Sequence, residues 1–240
     1  MPQGLILVVG PPGSGKTTTL HALLAQINTP EKKILTAEDP VEIVQSGLRQ
    51  MPLHPESGLD TFRALDTFRM GTPDVILTTD LADAKTFDLA LEVARHQLVL
   101  SSVEAESTLD ALARTRALGI QEKALGEGLQ LIIAQRRVPT LCPHCKEDYH
   151  PTRQEFEALA KFYGEDHFPE LGVEFSDNLC LKKPAGCKKC IYTGYAETTT
   201  LQEVLERSPD LNQKLSEGAS IEEIRNQAFQ DGMITLNQDG

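Results

Sequence analysis

The sequence predicts an α/β fold in which helices cover a mostly parallel β-sheet. Short apolar runs alternate with helical patterns through the first half of the chain, which is typical of strand–helix–strand units. A glycine-rich loop joins the first apolar run to the first helical pattern. The chain has 240 residues, 40% of them hydrophobic, which is enough for one α/β core with a small appendage.

The predicted elements follow one another in order along the first half. Apolar runs predict strands at residues 5–9, 33–36, 75–78 and 98–102. Helical patterns between and after them predict helices at residues 16–26, 60–70, 84–96, 107–117 and 121–137. In the third of these helices Phe87, Leu91 and Ala94 recur at helical spacing, so this face should pack on the sheet.

The composition changes near Pro139. Residues 139–195 hold all five cysteines and an acidic, partly helical insert at 151–175. After them, LQEVLE and ASIEEIRNQAFQDG predict short helices to the end of the chain. We therefore expect an α/β core at 1–138, a cysteine module at 139–195 and a C-terminal helical segment at 196–240.

The charge and hydropathy of the chain argue against several classes of partner. The chain has 23 basic and 35 acidic residues, a net charge of −12, which disfavours free nucleic acid because its binding depends on neutralising phosphates. No uninterrupted apolar run is long enough to cross a membrane, and the N-terminus lacks the basic lead of a signal peptide. We expect a cytoplasmic protein without a membrane span.

The glycine-rich loop carries the clearest chemical motif. Residues 10–17, GPPGSGKT, match the phosphate-binding pattern GxxxxGK[ST] between a strand and a helix. The residues expected to bind ATP are Gly10, Gly13, Ser14, Gly15, Lys16, Thr17 and Thr18. Lys16 should reach the β- and γ-phosphates, and the Thr17 hydroxyl should ligate Mg²⁺. The alternative is a glycine-rich turn that binds nothing.

An acidic segment follows the second predicted strand. Glu38, Asp39 and Glu42 lie where the carboxyl ends of parallel strands hold ligands in open α/β sheets. A carboxylate there could orient an attacking water or hold a Mg²⁺-bound water. A solvated acidic loop is the alternative, and the sequence leaves both open.

Two CxxC pairs predict a metal site. Cys142, Cys145, Cys187 and Cys190 offer four thiolates for a tetrahedral Zn²⁺ with no open position, hence a structural one. The pairs are 41 residues apart, so an insertion must loop out between them. Reduced cysteines without metal are the alternative in a reducing compartment. We expect the fifth, Cys180, to be a small buried thiol.

These motifs together resemble those of the secretion ATPases of type II secretion and type IV pilus assembly. The matching runs are GLILVVGPPGSGKTTTLHALL, TAEDPVE, RALDTFRMGTPDVIL, IIAQRRVPTLCPHC, GCKKCIYTGY and the closing GMITLNQDG. The resemblance implies a RecA-like P-loop NTPase core in a homo-hexameric or mixed ring at the cytoplasmic face of the inner membrane. There ATP hydrolysis would act on platform and adaptor proteins that assemble pilin-like subunits. It also implies that Glu38 activates water and that Asp80 occupies the Walker B position.

The chain departs from the family pattern at several charged positions. Asp80 replaces a glutamate and Ala82 an arginine of the Walker B segment, Glu104 replaces the histidine of the His box, and Asp66 replaces a further arginine. If these residues face the nucleotide, positive charge that stabilises the transition state is lost. Two functions stay open: a working motor module, or a degenerate nucleotide-binding paralogue with little hydrolysis that serves as a structural or regulatory subunit.

The family also carries a further domain ahead of the first strand, which closes over the nucleotide of a neighbouring subunit. In this chain Met1 precedes the first predicted strand by only a few residues. We expect either a C-terminal fragment of a longer protein or a naturally short paralogue.

Overall fold

The computed structural model describes residues 3–240 and divides into two compact units. One unit combines residues 3–136 with 202–234, and the other combines 137–201 with 235–240. Two long strands, Leu129–Leu141 and Tyr195–Glu206, each carry the chain from one unit into the other. The division into three functional parts, with boundaries after residues 138 and 195, stays a prediction.

Nine strands are described in residues 3–240. They are β1 (Gly4–Val9), β2 (Ile34–Glu38), β3 (Arg49–Pro52), β4 (Val75–Thr78), β5 (Leu98–Val103), β6 (Leu129–Leu141), β7 (Glu147–Tyr149), β8 (Leu181–Lys183) and β9 (Tyr195–Glu206). The large sheet has the order β3-β2-β4-β5-β1-β6-β9, and all the neighbours from β3 to β6 pair in parallel. The carboxyl ends of β1, β2, β4 and β5 therefore meet at one edge, where such sheets bind ligands.

Nine α-helices are described in the same residues. They are α1 (Lys16–Ile27), α2 (Thr61–Met70), α3 (Ala84–Ala94), α4 (Thr108–Ala117), α5 (Glu122–Gly128), α6 (Arg153–Tyr163), α7 (Pro209–Ser216), α8 (Ile221–Gln230) and α9 (Leu236–Asp239). None of the helices in residues 3–240 combines the length and the hydrophobicity of a membrane-spanning segment.

The core of the first unit fixes α1 and α3 on the sheet. Leu20 and Leu24 of α1 pack with buried residues of β1, β2, β4, β5 and β6. Phe87, Leu91 and Ala94 of α3 are buried, as the helical spacing predicts. Burial of a leucine or phenylalanine side chain contributes roughly 1.5–3 kcal/mol, so these contacts hold the start of α1 firmly at the sheet edge.

Two helix predictions are wrong. The helix predicted over 121–137 ends at Gly128, because residues 129–134 lie in parallel register beside β1, with Leu129 opposite Leu5 and Ala134 opposite Val9. A short apolar run fits a buried strand as well as a helix, and its neighbours decide between them. LQEVLE also lies in β9, where burial alternates with a period of two residues.

The second unit contains the cysteine module and its insert. β7 and β8 form an antiparallel pair. α6 begins at Arg153, directly after its capping residue Thr152, inside the insert that the sequence predicts to be partly helical. Phe156 packs against Phe168 and Phe175, with ring centroids 5.3 and 5.6 Å apart. Such aromatic pairs give this small insert its own apolar cluster.

Candidate nucleotide and metal sites

The glycine-rich loop lies between β1 and α1, where the motif requires it. Gly13 and Gly15 adopt left-handed backbone conformations, with φ of 75° and 92°. At Gly10 a Cβ atom would lie 2.4 Å from the backbone oxygen of Gln135, so only glycine fits there. These conformations curl the loop so that its backbone N–H groups and the positive end of α1 can serve one anion.

Lys16 is the first residue of α1 and folds back over the loop. Its ammonium donates to the carbonyl oxygens of Gly10 at 2.8 Å and Pro11 at 3.1 Å. The Ser14 hydroxyl is buried and has no hydrogen-bond partner within residues 3–240. A buried hydroxyl without a partner and an ammonium whose described hydrogen bonds go to loop carbonyls fit a site built for phosphate oxygens.

Gln135 of β6 holds the other side of the loop. Its amide donates to the Ser14 carbonyl oxygen at 2.8 Å and accepts from the Thr19 hydroxyl at 2.8 Å. The Gln135 side chain is buried, and its hydrogen bond to Ser14 is shielded from water. Gln135 therefore fixes the loop against the sheet and against the first turn of α1.

Glu38 is the last residue of β2 and is almost fully buried. Its Oε2 lies 2.8 Å from Nε2 of His21 on α1. Its Oε1 accepts from the Thr36 hydroxyl at 2.6 Å and from the Gln50 amide at 3.0 Å. The sequence predicts the position of Glu38 at this edge, but it misses His21. The only sign of that contact is the position of His21 between Leu20 and Leu24 on the inward face of α1.

Asp80 follows β4 at the same edge and lies in an unfavourable electrostatic environment. Loss of hydration raises its pKa, and repulsion from Glu104, which follows β5, raises it further, while Lys16 acts in the opposite direction. These interactions indicate that the charges of Asp80, Glu104 and Lys16 lie in one region. A cavity of about 350 Å³ opens beside Asp80. Its lining residues are Asp80, Leu81, Ala82, Val103, Glu104, Arg114, Ala117 and Leu118.

The expectation that Asp66 faces the nucleotide is wrong. The Asp66 carboxylate accepts from Nε of Arg69 at 2.8 Å, and Arg69 also contacts Glu92 near the end of α3 at 2.9 Å. Because α3 starts after the carboxyl end of β4 and ends before β5, Glu92 lies toward the opposite edge of the sheet. The Asp66–Arg69 pair is thus turned away from the phosphate loop.

The four CxxC cysteines lie together in the second unit. The Sγ atoms of Cys142, Cys145, Cys187 and Cys190 are all within 4.8 Å of one another. Gly186 and Gly194 shape the second knuckle, with φ of 98° and 80°. At Gly194 a Cβ atom would lie 2.5 Å from a side-chain carbon of Pro184. The set fits a tetrahedral metal ion with thiolate ligands.

The thiols of this cluster differ in their ease of ionisation. Backbone N–H groups of Cys187 and Gly194 point at Sγ of Cys190, at 3.2 and 3.3 Å, and lower the pKa of Cys190 to about 6. Burial raises the pKa of Cys145 to about 12. Cys180 lies outside the cluster and is exposed, so the expectation that it is buried is wrong.

Comparison with known proteins places the chain in a family. The family model described as "Type II/IV secretion system protein" matches residues 1–240. The protein transport protein HofB homolog of Escherichia coli (strain K12) is 38% identical over 240 residues, which cover 100% of this chain and 49% of that protein. The type IV pilus assembly ATPase PilB of Pseudomonas aeruginosa is 35% identical over 240 residues, 100% of this chain and 40% of that protein. The chain thus spans half the length of these relatives or less.

Solved structures show the same fold. The ATPase DotB of Yersinia pseudotuberculosis superimposes with a TM-score of 0.66 at 20% identity, and the match covers 100% of this chain and 58% of that one. This likeness confirms the α/β fold class with a RecA-like P-loop core, and the four cysteines of the second unit are close enough to one another to bind a metal. The chain belongs to the family of type II/IV secretion system proteins.

Proposed function

We propose that the chain binds ATP or ADP with Mg²⁺ at the loop between β1 and α1. The observation that carries the proposal is that the Lys16 ammonium, at the amino end of α1, lies close enough to Asp80 for their charges to interact. A metal-bound polyphosphate needs both groups, one for the phosphates and one for the metal. The residues proposed to hold the phosphates are Gly10, Gly13, Ser14, Gly15, Lys16, Thr17 and Thr18.

Binding would rearrange the ammonium of Lys16. Its two contacts with loop carbonyls would give way to phosphate oxygens, because charge-assisted hydrogen bonds are stronger than bonds to neutral carbonyls. The Thr17 hydroxyl is the proposed Mg²⁺ ligand, and Asp80 would hold a metal-bound water. Bound Mg²⁺ would also relieve the repulsion between Asp80 and Glu104.

The metal at the cysteine cluster is proposed to be Zn²⁺ with a structural role. Four thiolates in two CxxC pairs fill a tetrahedral shell and leave no position for a substrate. Zn²⁺ would also allow all four thiols to ionise together, which their mutual repulsion opposes without a cation. The ion would fix the two knuckles of the second unit.

For the whole protein we propose the role of motor module in type II secretion or type IV pilus assembly. In this role ATP binding and hydrolysis would drive assembly of pilin-like subunits at the cytoplasmic face of the inner membrane. The partners would be further subunits of a homo-hexameric or mixed ring, together with platform and adaptor proteins of the membrane. Family membership supports this role, and the net charge of −12 supports the absence of nucleic acid partners.

A second candidate function is a nucleotide-binding subunit with little hydrolysis. Two observations favour it. Glu104 occupies the position where the resemblance places a histidine, and its carboxylate raises the pKa of Asp80. Negative charge would therefore face the phosphates of a bound nucleotide. Glu38, the residue expected to activate water, is enclosed by three hydrogen-bond donors. Such a subunit would join or regulate a ring of active ones.

Calorimetry with MgADP and MgATP tests the binding. Lys16→Ala should weaken binding roughly tenfold to a hundredfold, the effect of losing a charged hydrogen bond. Lys123→Ala removes an exposed lysine of α5 and is the matched control, which should bind like the wild type. Equal affinity of the Lys16→Ala and wild-type proteins would contradict the placement of the phosphates.

Phosphate release under saturating MgATP separates the two candidate functions. Turnover in the usual enzyme range of roughly 1–10³ s⁻¹, abolished by Lys16→Ala, would support the motor module and exclude the degenerate subunit. Turnover far below that range, with tight nucleotide binding, would support the nucleotide-binding subunit.

A further inference from the structure

The buried pair of Glu38 and His21 joins β2 to the helix that carries the phosphate loop. The side chains are only 1% and 2% exposed, and Nε2 of His21 lies 2.8 Å from Oε2 of Glu38. His21 is one helical turn beyond Thr17, so both side chains project from the same side of α1. The carboxylate of this strand residue therefore contacts the second turn of α1 directly.

The hydrogen bonds of the pair define its protonation. Oε1 of Glu38 accepts from Thr36 and from Gln50, and Oε2 accepts from His21. Nδ1 of His21 is buried and has no partner within residues 3–240. The tautomer with hydrogen on Nε2 satisfies Glu38 and leaves no buried N–H unpaired. Three donors and almost complete burial leave Glu38 no free, accessible oxygen for a water molecule.

We propose that Glu38 is a positioning residue that acts on the phosphate loop through His21, rather than the group that activates the attacking water. Because this role presupposes nucleotide binding at the loop, it rests on the function proposed above. Gln135 holds the loop through Ser14 and the first turn of α1 through Thr19. The start of α1 is thus held from two strands, β2 and β6, with the loop between them.

The same network reaches residues 43–50, which follow the acidic segment. The Gln45 amide donates to the backbone oxygen of His21 at 2.9 Å, and its own backbone N–H donates to Gln50 at 2.9 Å. Gln50 in turn donates to the backbone oxygen of Ile43 at 2.8 Å. The chain from Ile43 to Gln50 is therefore fixed to α1 through the groups that surround Glu38. Loss of the pair should loosen the loop and this segment together.

Calorimetry with MgADP on the 240-residue chain measures the effect on the loop. His21→Phe removes the donor. Glu38→Gln removes the charge and one acceptor, so either its amide meets another donor or His21 takes the other tautomer and leaves a buried Nδ1–H unpaired. Each variant should weaken MgADP binding roughly tenfold, which is the effect expected from the loss of about one hydrogen bond. The double variant should be little weaker than either single one, since both remove the same contact. His21→Gln, whose amide keeps a donor, should recover part of the affinity.

A matched control separates positioning from general destabilisation. Asp74→Asn alters a carboxylate that accepts from the backbone N–H of Lys33 at 2.7 Å. Asp74 precedes β4 and Lys33 precedes β2, so this contact lies at the edge of the sheet opposite the loop. It should lower Tm without changing MgADP affinity. All affinities are measured below the unfolding transition of each variant. The isosteric Glu38→Gln and the donor-retaining His21→Gln variants carry the test if His21→Phe does not fold.

Two results would overturn the positioning role while nucleotide binding stands. One is unchanged MgADP affinity in Glu38→Gln and His21→Phe. The other is a loss of ATP turnover in Glu38→Gln alone, with His21→Phe fully active, which would return Glu38 to water activation. Absence of MgADP binding by the wild-type chain would instead refute the proposed function, and the positioning role with it.

Discussion

Asp80 and Asp83 lie three residues apart, and the protein shifts their pKa values in opposite directions. Burial and the neighbouring Glu104 raise the pKa of Asp80. Hydrogen bonds from Thr86 lower the pKa of Asp83, which caps α3 and accepts from the backbone N–H of Thr86 at 2.9 Å and from its hydroxyl at 2.6 Å. We therefore predict that alanine at these two positions changes stability in opposite directions.

The expected magnitudes follow from these contacts. Asp83→Ala removes a helix cap and should destabilise the protein by about 0.5–2 kcal/mol at neutral pH. For a chain of this length each kcal/mol corresponds to a change in Tm of about 2–4 °C. Asp80→Ala removes a carboxylate that has lost hydration and faces another carboxylate, so Tm should rise in the absence of Mg²⁺ and nucleotide.

The pH dependence gives the two effects separate signatures. The lowered pKa of Asp83 contributes stability that is complete above the unfolded pKa of aspartate and is lost as pH falls through the folded value. The raised pKa of Asp80 destabilises the fold where the group is ionised, and this loss disappears as pH falls through its folded value. Both variants should approach the wild type in acid.

Thermal unfolding of the wild type and both variants, from neutral pH to about pH 2, measures these differences, because the lowered pKa of Asp83 places its loss below the ordinary aspartate value of about 3.9. A lower Tm of Asp80→Ala at neutral pH would refute the electrostatic reasoning. So would a gain that persists unchanged in acid.

Further predictions concern the loop, the cysteines and catalysis. Gly10→Ala places a Cβ 2.4 Å from the backbone oxygen of Gln135 and should abolish MgADP binding in calorimetry. At Gly13 a Cβ meets no atom within 4 Å, so Gly13→Ala should lower stability only by the strain of a left-handed backbone, about 1–2 kcal/mol, as seen in the Tm. Cys190→Ser should lower the zinc content found by elemental analysis and destabilise residues 137–201 more than the core in hydrogen exchange; unchanged zinc content would contradict the site. Glu104→His should raise ATP turnover, by up to about 10²-fold in phosphate release, because it replaces a repelling charge with a donor.

The sequence predicts most of the loop and little of its support. The motif places the start of α1 at Lys16, where the structure has it, because the phosphate loop needs a strand before it and a helix after it. The spacing of the CxxC pairs predicts a cluster, and the four Sγ atoms lie together. The helix predicted through residue 137 is wrong because pairing with β1, which is distant in sequence, decides the conformation of β6.

The contacts that support the loop are not visible in the sequence for the same reason. Gln135 and Ser14 are separated by 121 residues, and His21 and Glu38 by 17. Neither pair produces a recognisable pattern in the sequence, because a polar residue on the inward face of an element can form hydrogen bonds with many different partners. The sequence predicts which residues meet the ligand, while the sheet order determines which residues hold them.

The carboxylates at this edge of the sheet have two different roles. Glu38 is stabilised by three donors and gives the site rigidity, whereas Asp80 and Glu104 lie near Lys16 and repel each other. Repulsion of this kind disfavours the fold without ligand and favours a divalent cation, since Mg²⁺ neutralises both carboxylates. It also opposes the negative charge of a triphosphate. With nucleotide bound as proposed, Glu104 in place of the family's histidine would therefore make binding depend more on the metal and would stabilise the transition state less. This charge balance is the one expected for the second candidate function, a nucleotide-binding subunit with little hydrolysis.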